Sequence, residues 1–389
     1  MDQSVLGKND IIYHILIDRF AGFDNKKSYQ PSTDFFGGNL RGIIDKIPYL
    51  KQLGVDVLWI SPFYKTSAYH GYHITDFFSV DPHFGTEQDL KELIEIVHQH
   101  NMRIIADFVP NHCSSVHPFF LEAQQYENSP YRNWFYFQHW PDSYQCFLSV
   151  SELPKLNLSF PPARHHIIDA ALYWLKMGLD GFRLDHVIGP SHRFWKTFAH
   201  HVKTRFPRCV LIGEAWMQGI SFQELKTVKM RWKHLKWLFG SHSEWLLKSY
   251  QGLLDGVLDF HGQQLIQQGI ISNKSTKDLT DQLRHHYHRF NDEFDLALFL
   301  DNHDMDRVLF QYGNDVEKLK KAVSVQFSIS QPVIIYYGTE RGMSQKQSVW
   351  NQPMHGDLRA REPMKWDDSD EEILLFYKKI IKKRKDALN

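Results

Sequence analysis

The sequence predicts an α/β protein built as a (β/α)8 TIM barrel with an irregular inserted domain after strand 3. Eight short apolar runs with the character of buried strands alternate with helix-like segments along the chain. Several of these runs end abruptly in polar side chains, as strands do at the carboxyl-terminal face of such a barrel. A doubly wound sheet is the alternative, but no GxGxxG motif follows the first strand.

Residues 1–111 form the first part of the predicted barrel. Apolar residues recur at helical spacing from Leu40 to Leu53 and again from Leu90 to Val97, which predicts two helices between three strands. The three strands are IIYHILIDRF (11–20), VDVLWISP (55–62) and RIIADFVP (103–110).

Residues 112–162 interrupt the alternation. They are dense in Ser, Pro, Asn and aromatic residues and are too long for an ordinary connection, which predicts an inserted loop-rich domain B. Residues 163–389 resume the barrel with a helix at 163–178 and end with a helix at 370–385. The remaining five predicted strands are GFRLDHV (181–187), CVLIGEAW (209–216), DGVLDFHG (255–262), DLALFLDNHD (295–304) and PVIIYYGTE (332–340).

Composition and charge exclude several classes of protein. The chain has 389 residues, and its 45 basic and 45 acidic side chains cancel, which indicates neither nucleic acid nor a membrane surface as a partner. The amino-terminal MDQSVLGKND lacks the apolar core of a signal peptide, and no apolar run of about 18 residues occurs. Cys113, Cys146 and Cys209 form no CxxC pair, which argues against a disulfide framework. We therefore expect a cytoplasmic protein.

Two carboxylates, Asp185 and Glu214, end predicted strands that are otherwise apolar. Arg183 stands two residues before Asp185 on a strand, so both side chains point the same way and the cation favours an ionised, oriented Asp. The apolar VLIG before Glu214 indicates a drier setting, in which a carboxyl group retains a proton for donation. Such a pair suits cleavage of a glycosidic bond, and a buried structural ion pair between Arg183 and Asp185 is the alternative.

Two further strand ends carry polar pairs. His303 and Asp304 follow the seventh strand, and Asp107 and His112 lie at the end of the third. Each pair alone also fits a structural role, as a strand-end cap, a salt bridge or a loop histidine. Polar clusters at four strand ends of one barrel favour a shared site, in which Asp304 binds the substrate.

Four segments in this order resemble the conserved motifs of the α-amylase family of retaining glycoside hydrolases. They are DFVPNH (107–112), GFRLDHV (181–187), GEAW (213–216) and FLDNHD (299–304). LPKLN (153–157) is similar to a fifth motif, in the form typical of the neopullulanase and cyclomaltodextrinase group. The resemblance extends over residues 11–385 and includes YHGYHITDFFSVDPHFGT (69–86) and YYGTERGM (336–343).

The resemblance implies a role for each matching residue. Asp185 would be the nucleophile, Glu214 the general acid and then base, and Asp304 the acid that binds and distorts the sugar at the cleaved bond. The other implied site residues are Arg183, which orients Asp185, His112 and His303, which hydrogen-bond the sugar, Tyr72, which stacks beneath it, and His70, which lies alongside. A retaining enzyme forms a covalent glycosyl-enzyme and needs its two carboxylates only about 5 Å apart.

No redox or organic cofactor is required by this chemistry, and calcium stays open. Many α-amylases carry a Lys-His pair three and four residues after the nucleophile, and the His carbonyl helps to hold calcium. Here those positions are Ile188 and Gly189. Asn111 matches another calcium-ligand position, and Asp24 with Asn25 offers oxygen ligands in the first loop.

The resemblance implies an α-glucan oligosaccharide substrate, through α-1,4 bonds in the main, in maltooligosaccharides, cyclodextrins or starch-type glucans. An α-glucosidase, a transglycosylase and an inactive carbohydrate-binding relative are alternatives within the family. A metal-dependent amidohydrolase barrel would need an HxH at the first strand end, where Asp18 and Arg19 stand. The β-sandwich that normally follows the barrel is missing, which fits either a compact member or a shortened chain.

Overall fold

The computed structural model describes residues 6–216, 242–351, 355–367 and 370–387. Eight parallel strands close into a barrel, which confirms the predicted (β/α)8 TIM barrel. Their side chains are buried along nearly their whole length, as expected for strands covered on both faces. The strands are β1 (Ile11–Ile15), β2 (Val57–Ile60), β3 (Arg103–Phe108), β4 (Gly181–Leu184), β5 (Val210–Gly213), β6 (Gly256–Leu258), β7 (Asp295–Phe299) and β8 (Val333–Tyr336).

The order of strands around the barrel is β1-β8-β7-β6-β5-β4-β3-β2, so neighbours in sequence are neighbours in space. Ile11 pairs with Val333 where the first and last strands meet. Between β4 and β5, Leu184 pairs with Gly213. The residue that follows each of these strands is an acid, so this register places Asp185 beside Glu214.

Helices follow most of the strands, and several begin with identifiable caps. Thr86 caps one of them with a capping box shared with Asp89, and Pro118 and Pro161 each begin another. The α-helices in the described residues are Ile17–Phe20, Leu40–Leu53, Glu87–Gln99, Pro118–Gln125, Pro161–Met177, His192–Arg205, His242–Lys248, Phe260–Ile271, Thr276–Tyr287, Val308–Gln311, Val316–Gln326 and Glu371–Asp386. None of them combines the length and the apolar character needed to span a bilayer.

Short elements fill the loops, above all between β3 and β4. Antiparallel pairs join Tyr64–Thr66 to Ile74–Val80, Phe137–His139 to Ser143–Tyr144, and Cys146–Phe147 to Val150–Pro154. Single 3₁₀ turns occur at Arg132–Trp134, Thr339–Arg341, Val349–Asn351 and Gly356–Arg359. The assignment of 112–162 to a separate domain B stays a prediction.

The strands are shorter than the apolar runs that predicted them. Val187 and Ala215 lie beyond β4 and β5 yet are buried, so apolar character does not stop where strand pairing stops. The predicted strand at 255–262 ends at Leu258, because Asp259 caps the next helix by accepting a hydrogen bond from Gly262 N at 2.8 Å.

The chain forms two compact units. The first unit comprises the described residues of Pro62–Pro82 and Ala106–Val257, and the second those of Leu6–Ser61, His83–Ile105 and Leu258–Asn389. Each contains its own group of the predicted site residues.

Candidate active site

Arg183, on β4, is the centre of a buried cluster of charges in the first unit. Its Nη1 contacts Asp107 Oδ1 and lies 3.0 Å from Asp185 Oδ1, and its Nη2 lies 2.5 Å from Glu214 Oε1. All four side chains are at least nine-tenths buried. One guanidinium therefore holds acids from three neighbouring strands, and the predicted contact between Arg183 and Asp185 is present.

Backbone hydrogen bonds continue past the strand ends and hold the two acids in place. Asp185 N donates to Phe108 O at 2.8 Å, and Glu214 N donates to Leu184 O at 2.9 Å. His186 adopts a left-handed conformation with φ 43°, and its N donates to Glu214 Oε2 at 3.1 Å. Both oxygens of Glu214 therefore have a donor, one from Arg183 and one from the backbone.

The acids of the cluster keep Arg183 charged. Burial opposes the charge of Arg183, but the attraction of Asp107 and Glu214, with smaller contributions from Tyr72 and Asp185, raises the pKa of its guanidinium well above the ordinary value. The guanidinium in turn offsets the repulsion among the three acids that it binds.

The loop after β2 brings His70 and Tyr72 to this cluster. The Tyr72 hydroxyl donates to Asp107 Oδ2 at 2.9 Å, and the ring centroids of His70 and Tyr72 lie 5.7 Å apart. Gly71 between them has φ 87°, and a Cβ there would lie 2.1 Å from Pro62 O, so only glycine fits this turn. The geometry explains why a glycine separates His70 from Tyr72.

His112 belongs to the same unit and is almost fully buried. Burial, reinforced by the nearby His73, lowers the pKa of His112 to about 3, so its ring is neutral at neutral pH. Its Nδ1 lies 3.3 Å from Asn111 Nδ2, and its ring lies 4.8 Å from the ring of Phe147. A neutral imidazole can both donate and accept, which suits hydrogen bonding to a hydroxyl.

In the second unit, Arg361 holds the predicted pair His303 and Asp304. Arg361 Nη2 donates to Asp304 Oδ1 at 2.8 Å, and its Nε donates to His303 O at 2.7 Å. Arg361 also forms an ion pair with Asp357 at 2.5 Å. His303 Nε2 lies 3.1 Å from Asp304 Oδ2, so both carboxylate oxygens of Asp304 are held while 27% of its side chain stays exposed.

The imidazole of His303 rests on residues of β1 and β2 that the sequence analysis did not single out. His14 stacks on Trp59 with a centroid distance of 3.7 Å, and the His14 and His303 rings meet edge to face at 5.0 Å. His14 is a polar residue inside an apolar run, and this sequence feature could have predicted it as a site residue. No sequence feature indicates Arg361, because it follows an irregular segment.

The sugar-binding role that the resemblance implies for Asp304 predicts that Arg361→Met impairs substrate binding more than folding. Without the guanidinium, Asp304 keeps only its contact with His303 and loses the partner that orients it, so kcat/KM should fall about 10- to 100-fold. Steady-state kinetics on maltotriose measures this change.

Arg284→Met is the matched control for Arg361. Arg284 forms an exposed ion pair with Asp281 in the same unit, with 61% of its side chain accessible. Its loss should leave kcat/KM unchanged. Equal kinetics for Arg361→Met and Arg284→Met would show that Arg361 does not act through Asp304.

The calcium candidates of the first loop, Asp24 and Asn25, stay a prediction. Both are exposed, and Asp24 Oδ1 accepts a hydrogen bond from Lys26 N at 2.9 Å. Within the described ranges, no three His, Cys, Asp or Glu side chains come together as a metal-holding group. Calcium takes six to eight oxygen ligands, which include carbonyl and amide oxygens, so these two side chains would supply only part of its shell.

The fold and the site together define a class of protein. It is a parallel α/β barrel in which buried carboxylates at the strand ends bind one shared arginine. A family model described as the alpha amylase catalytic domain matches residues 14–373. The chain therefore belongs to the alpha-amylase family.

Several known proteins resemble the chain over nearly its whole length. Alpha-amylase 2 of Dictyoglomus thermophilum is 36% identical, over 97% of this chain and 63% of that protein. A cyclomaltodextrinase of Bacillus sp is 31% identical, over 97% of this chain and 66% of that protein. The chain thus spans just under two thirds of the length of each relative. The structure of a cyclic alpha-maltosyl-(1→6)-maltose hydrolase from Arthrobacter globiformis matches with a TM-score of 0.80 at 26% identity, over 96% of this chain and 82% of that one.

Proposed function

We propose that the protein is a retaining glycoside hydrolase that cleaves α-glucosidic bonds, mainly α-1,4, in maltooligosaccharides, cyclodextrins or starch-type glucans. The observation that carries this proposal is the single guanidinium of Arg183, which holds both Asp185 and Glu214. Contact of both acids with one guanidinium supports a short separation between them, and retaining chemistry needs a separation of about 5 Å.

In this proposal Asp185 attacks the anomeric carbon while Glu214 donates its proton to the departing glycosidic oxygen. The C–O bond to the leaving group breaks as a C–O bond to Asp185 forms. Water then attacks the same carbon, Glu214 takes a proton from it, and the bond to Asp185 breaks. Glu214 ends the cycle protonated and Asp185 ends it ionised.

The first step of this scheme consumes a proton on Glu214. Both Glu214 oxygens accept hydrogen bonds here, one from Arg183 and one from His186 N, which favours the ionised carboxylate, so the scheme requires Glu214 to gain its proton as the substrate displaces one of these contacts. Asp107 has a different task in this scheme. It binds both Arg183 and the Tyr72 hydroxyl. Asp107 therefore fixes the position of the Tyr72 ring, which would stack beneath the sugar, relative to Asp185.

The remaining predicted residues would bind the sugar. We assign Tyr72 to stacking, His70, His112 and His303 to hydrogen bonds with hydroxyl groups, and Asp304 to the carboxylate that distorts the ring. The orientation of Asp304 by Arg361 supports its assignment, because a held carboxylate loses little entropy when it binds a hydroxyl.

The relatives and the LPKLN segment (153–157) support the proposed substrate class. One relative is named for cyclomaltodextrins and one solved structure for a cyclic maltosyl-maltose, which favours short or cyclic α-glucans. We propose that the reaction needs no redox or organic cofactor. All three cysteines are free, which fits the reducing cytoplasm.

Glu214→Gln tests the role of the proposed acid. Hydrolysis of maltotriose should fall by about 10²- to 10⁴-fold, because the leaving sugar must depart without a proton. The value of kcat/KM for α-glucosyl fluoride should fall far less, since fluoride needs little protonation to leave and kcat/KM reports the first step alone. Comparison of the two kcat/KM values measures the difference.

Wild-type product analysis separates the proposal from its alternatives. Fresh product from maltotriose, cyclodextrin or pullulan should appear as the α-anomer by NMR, whereas an initial β-anomer would exclude the retaining scheme. Longer oligosaccharides in product chromatography would identify a transglycosylase, glucose alone an α-glucosidase. Binding without turnover would identify an inactive carbohydrate-binding relative.

A further inference from the structure

Lys155, in the LPKLN segment, binds the segment that follows Asp185 through its ammonium group. Its Nζ donates to Gly189 O at 3.0 Å, and Gly189 is four residues after Asp185. Burial lowers the pKa of Lys155. Lys155 is partly buried, and a partly buried ammonium favours a specific polar partner, which the carbonyl of Gly189 provides.

The backbone around Lys155 is tied to the segment that follows β3. Lys155 and His112 form an isolated antiparallel bridge, and Leu156 N donates to Asn111 O at 2.9 Å. Lys155 N itself donates to Gln145 O at 2.9 Å. The ammonium and its backbone therefore connect three segments of the first unit: the excursion after β3, residues 111–113, and residues 186–189.

The resemblance assigns a calcium ion to this place, held by the oxygen of Asn111 and the carbonyl of residue 189. The donor set here does not fit it, because the ammonium of Lys155 already donates to the carbonyl of Gly189. Asn111 Oδ1 packs against Gly189 and has no hydrogen-bond partner among the described residues, but one buried oxygen does not satisfy an ion that takes six to eight. A divalent ion near this ammonium would also be repelled.

We propose that Lys155 replaces the calcium ion as the cation of this position and holds the segment after Asp185 against the segment that carries His112. Its action on Asp185 makes it a positioning residue and rests on the proposed function. The replacement of calcium rests on the geometry alone.

The replacement of calcium by Lys155 can be tested by measuring how the melting temperature, Tm, responds to calcium. Wild-type Tm should be the same in millimolar calcium and in EGTA. Lys155→Met should melt about 5 °C lower in both, because the cation that joins the segments is gone. Lys155→Asp, which adds a carboxylate beside Asn111 and Gly189 O, should regain Tm when calcium is added.

Lys91→Met is the matched control, since Lys91 is 57% exposed on a helix and pairs only weakly with Glu95. It should match the wild type in every condition. A calcium-dependent rise in wild-type Tm that Asn111→Ala removes would overturn the proposal, as would a Lys155→Met Tm equal to that of Lys91→Met. A folded Lys155→Asp that does not respond to calcium would also overturn it.

Kinetics test the positioning role separately. Lys155→Met should lower kcat on maltotriose about tenfold with little change in KM, because Asp185 is displaced while the sugar contacts persist. An unchanged kcat would overturn the positioning role. The Tm measurements need no turnover, so an inactive wild type would count against the proposed function and leave the replacement of calcium to be decided by Tm.

Discussion

Asp185→Asn is expected to reduce kcat for maltooligosaccharide hydrolysis on the order of 10⁴-fold or more, a barrier increase of about 5.5 kcal/mol or more. The amide has the shape of the carboxylate but cannot form the glycosyl-enzyme. Arg183 keeps its contacts with Asp107 and Glu214, so the fold should persist. Reducing-end release from maltotriose, with circular dichroism of the same sample, measures both effects.

Asp185→Asn should also have a characteristic effect on stability. The cluster holds three acids and one cation, so loss of one carboxylate relieves repulsion, and Tm should stay equal or rise. Asp281→Asn is the control, because Asp281 is an exposed acid that pairs with Arg284 at 3.3 Å. It should leave kcat unchanged. Undiminished turnover by Asp185→Asn would reject the mechanism.

The sequence predicted the barrel because its signal is local. Buried parallel strands are apolar throughout, and a short apolar run followed by a helical repeat can be recognised without knowledge of the partners. The ends of the strands were less predictable. Phe260 looks like part of a strand in DGVLDFHG, but the cap formed by Asp259 makes it the first residue of a helix.

The site was predictable where it depends on neighbours in sequence. Arg183 and Asp185 are two residues apart on one strand, and their contact could be expected from the alternation of side chains. Contacts through distant loops could not. Arg361 reaches Asp304 from 57 residues away, and Tyr72 reaches Asp107 from 35 residues away. Nothing local in either sequence segment indicates where its loop will fold.

Arg183→Met is expected to be the most destabilising substitution in the cluster. It removes the cation and leaves Asp107, Asp185 and Glu214 buried beside one another. Loss of one partner from a buried ion pair costs about 3–5 kcal/mol of the free energy of unfolding, because the remaining charge has no compensation. Urea denaturation at neutral pH measures the loss.

Arg41→Met is the control, since Arg41 forms ion pairs with Asp89 and Glu92 at 2.5 and 2.6 Å but has 52% of its side chain exposed. Its free energy of unfolding should change little. An Arg183→Met protein as stable as Arg41→Met would show that charge does not hold the cluster together.

The pH dependence of Arg183→Met distinguishes lost charge compensation from lost packing. Without the guanidinium, burial and mutual repulsion raise the pKa values of the three acids in the folded variant above those of the unfolded chain. The folded variant then binds more protons, so its stability is retained at low pH and lost as pH rises through the raised pKa values. Adding Asp185→Asn to Arg183→Met should therefore recover stability at neutral pH and recover less near pH 4. A recovery that is equal at both pH values would assign the loss to packing instead.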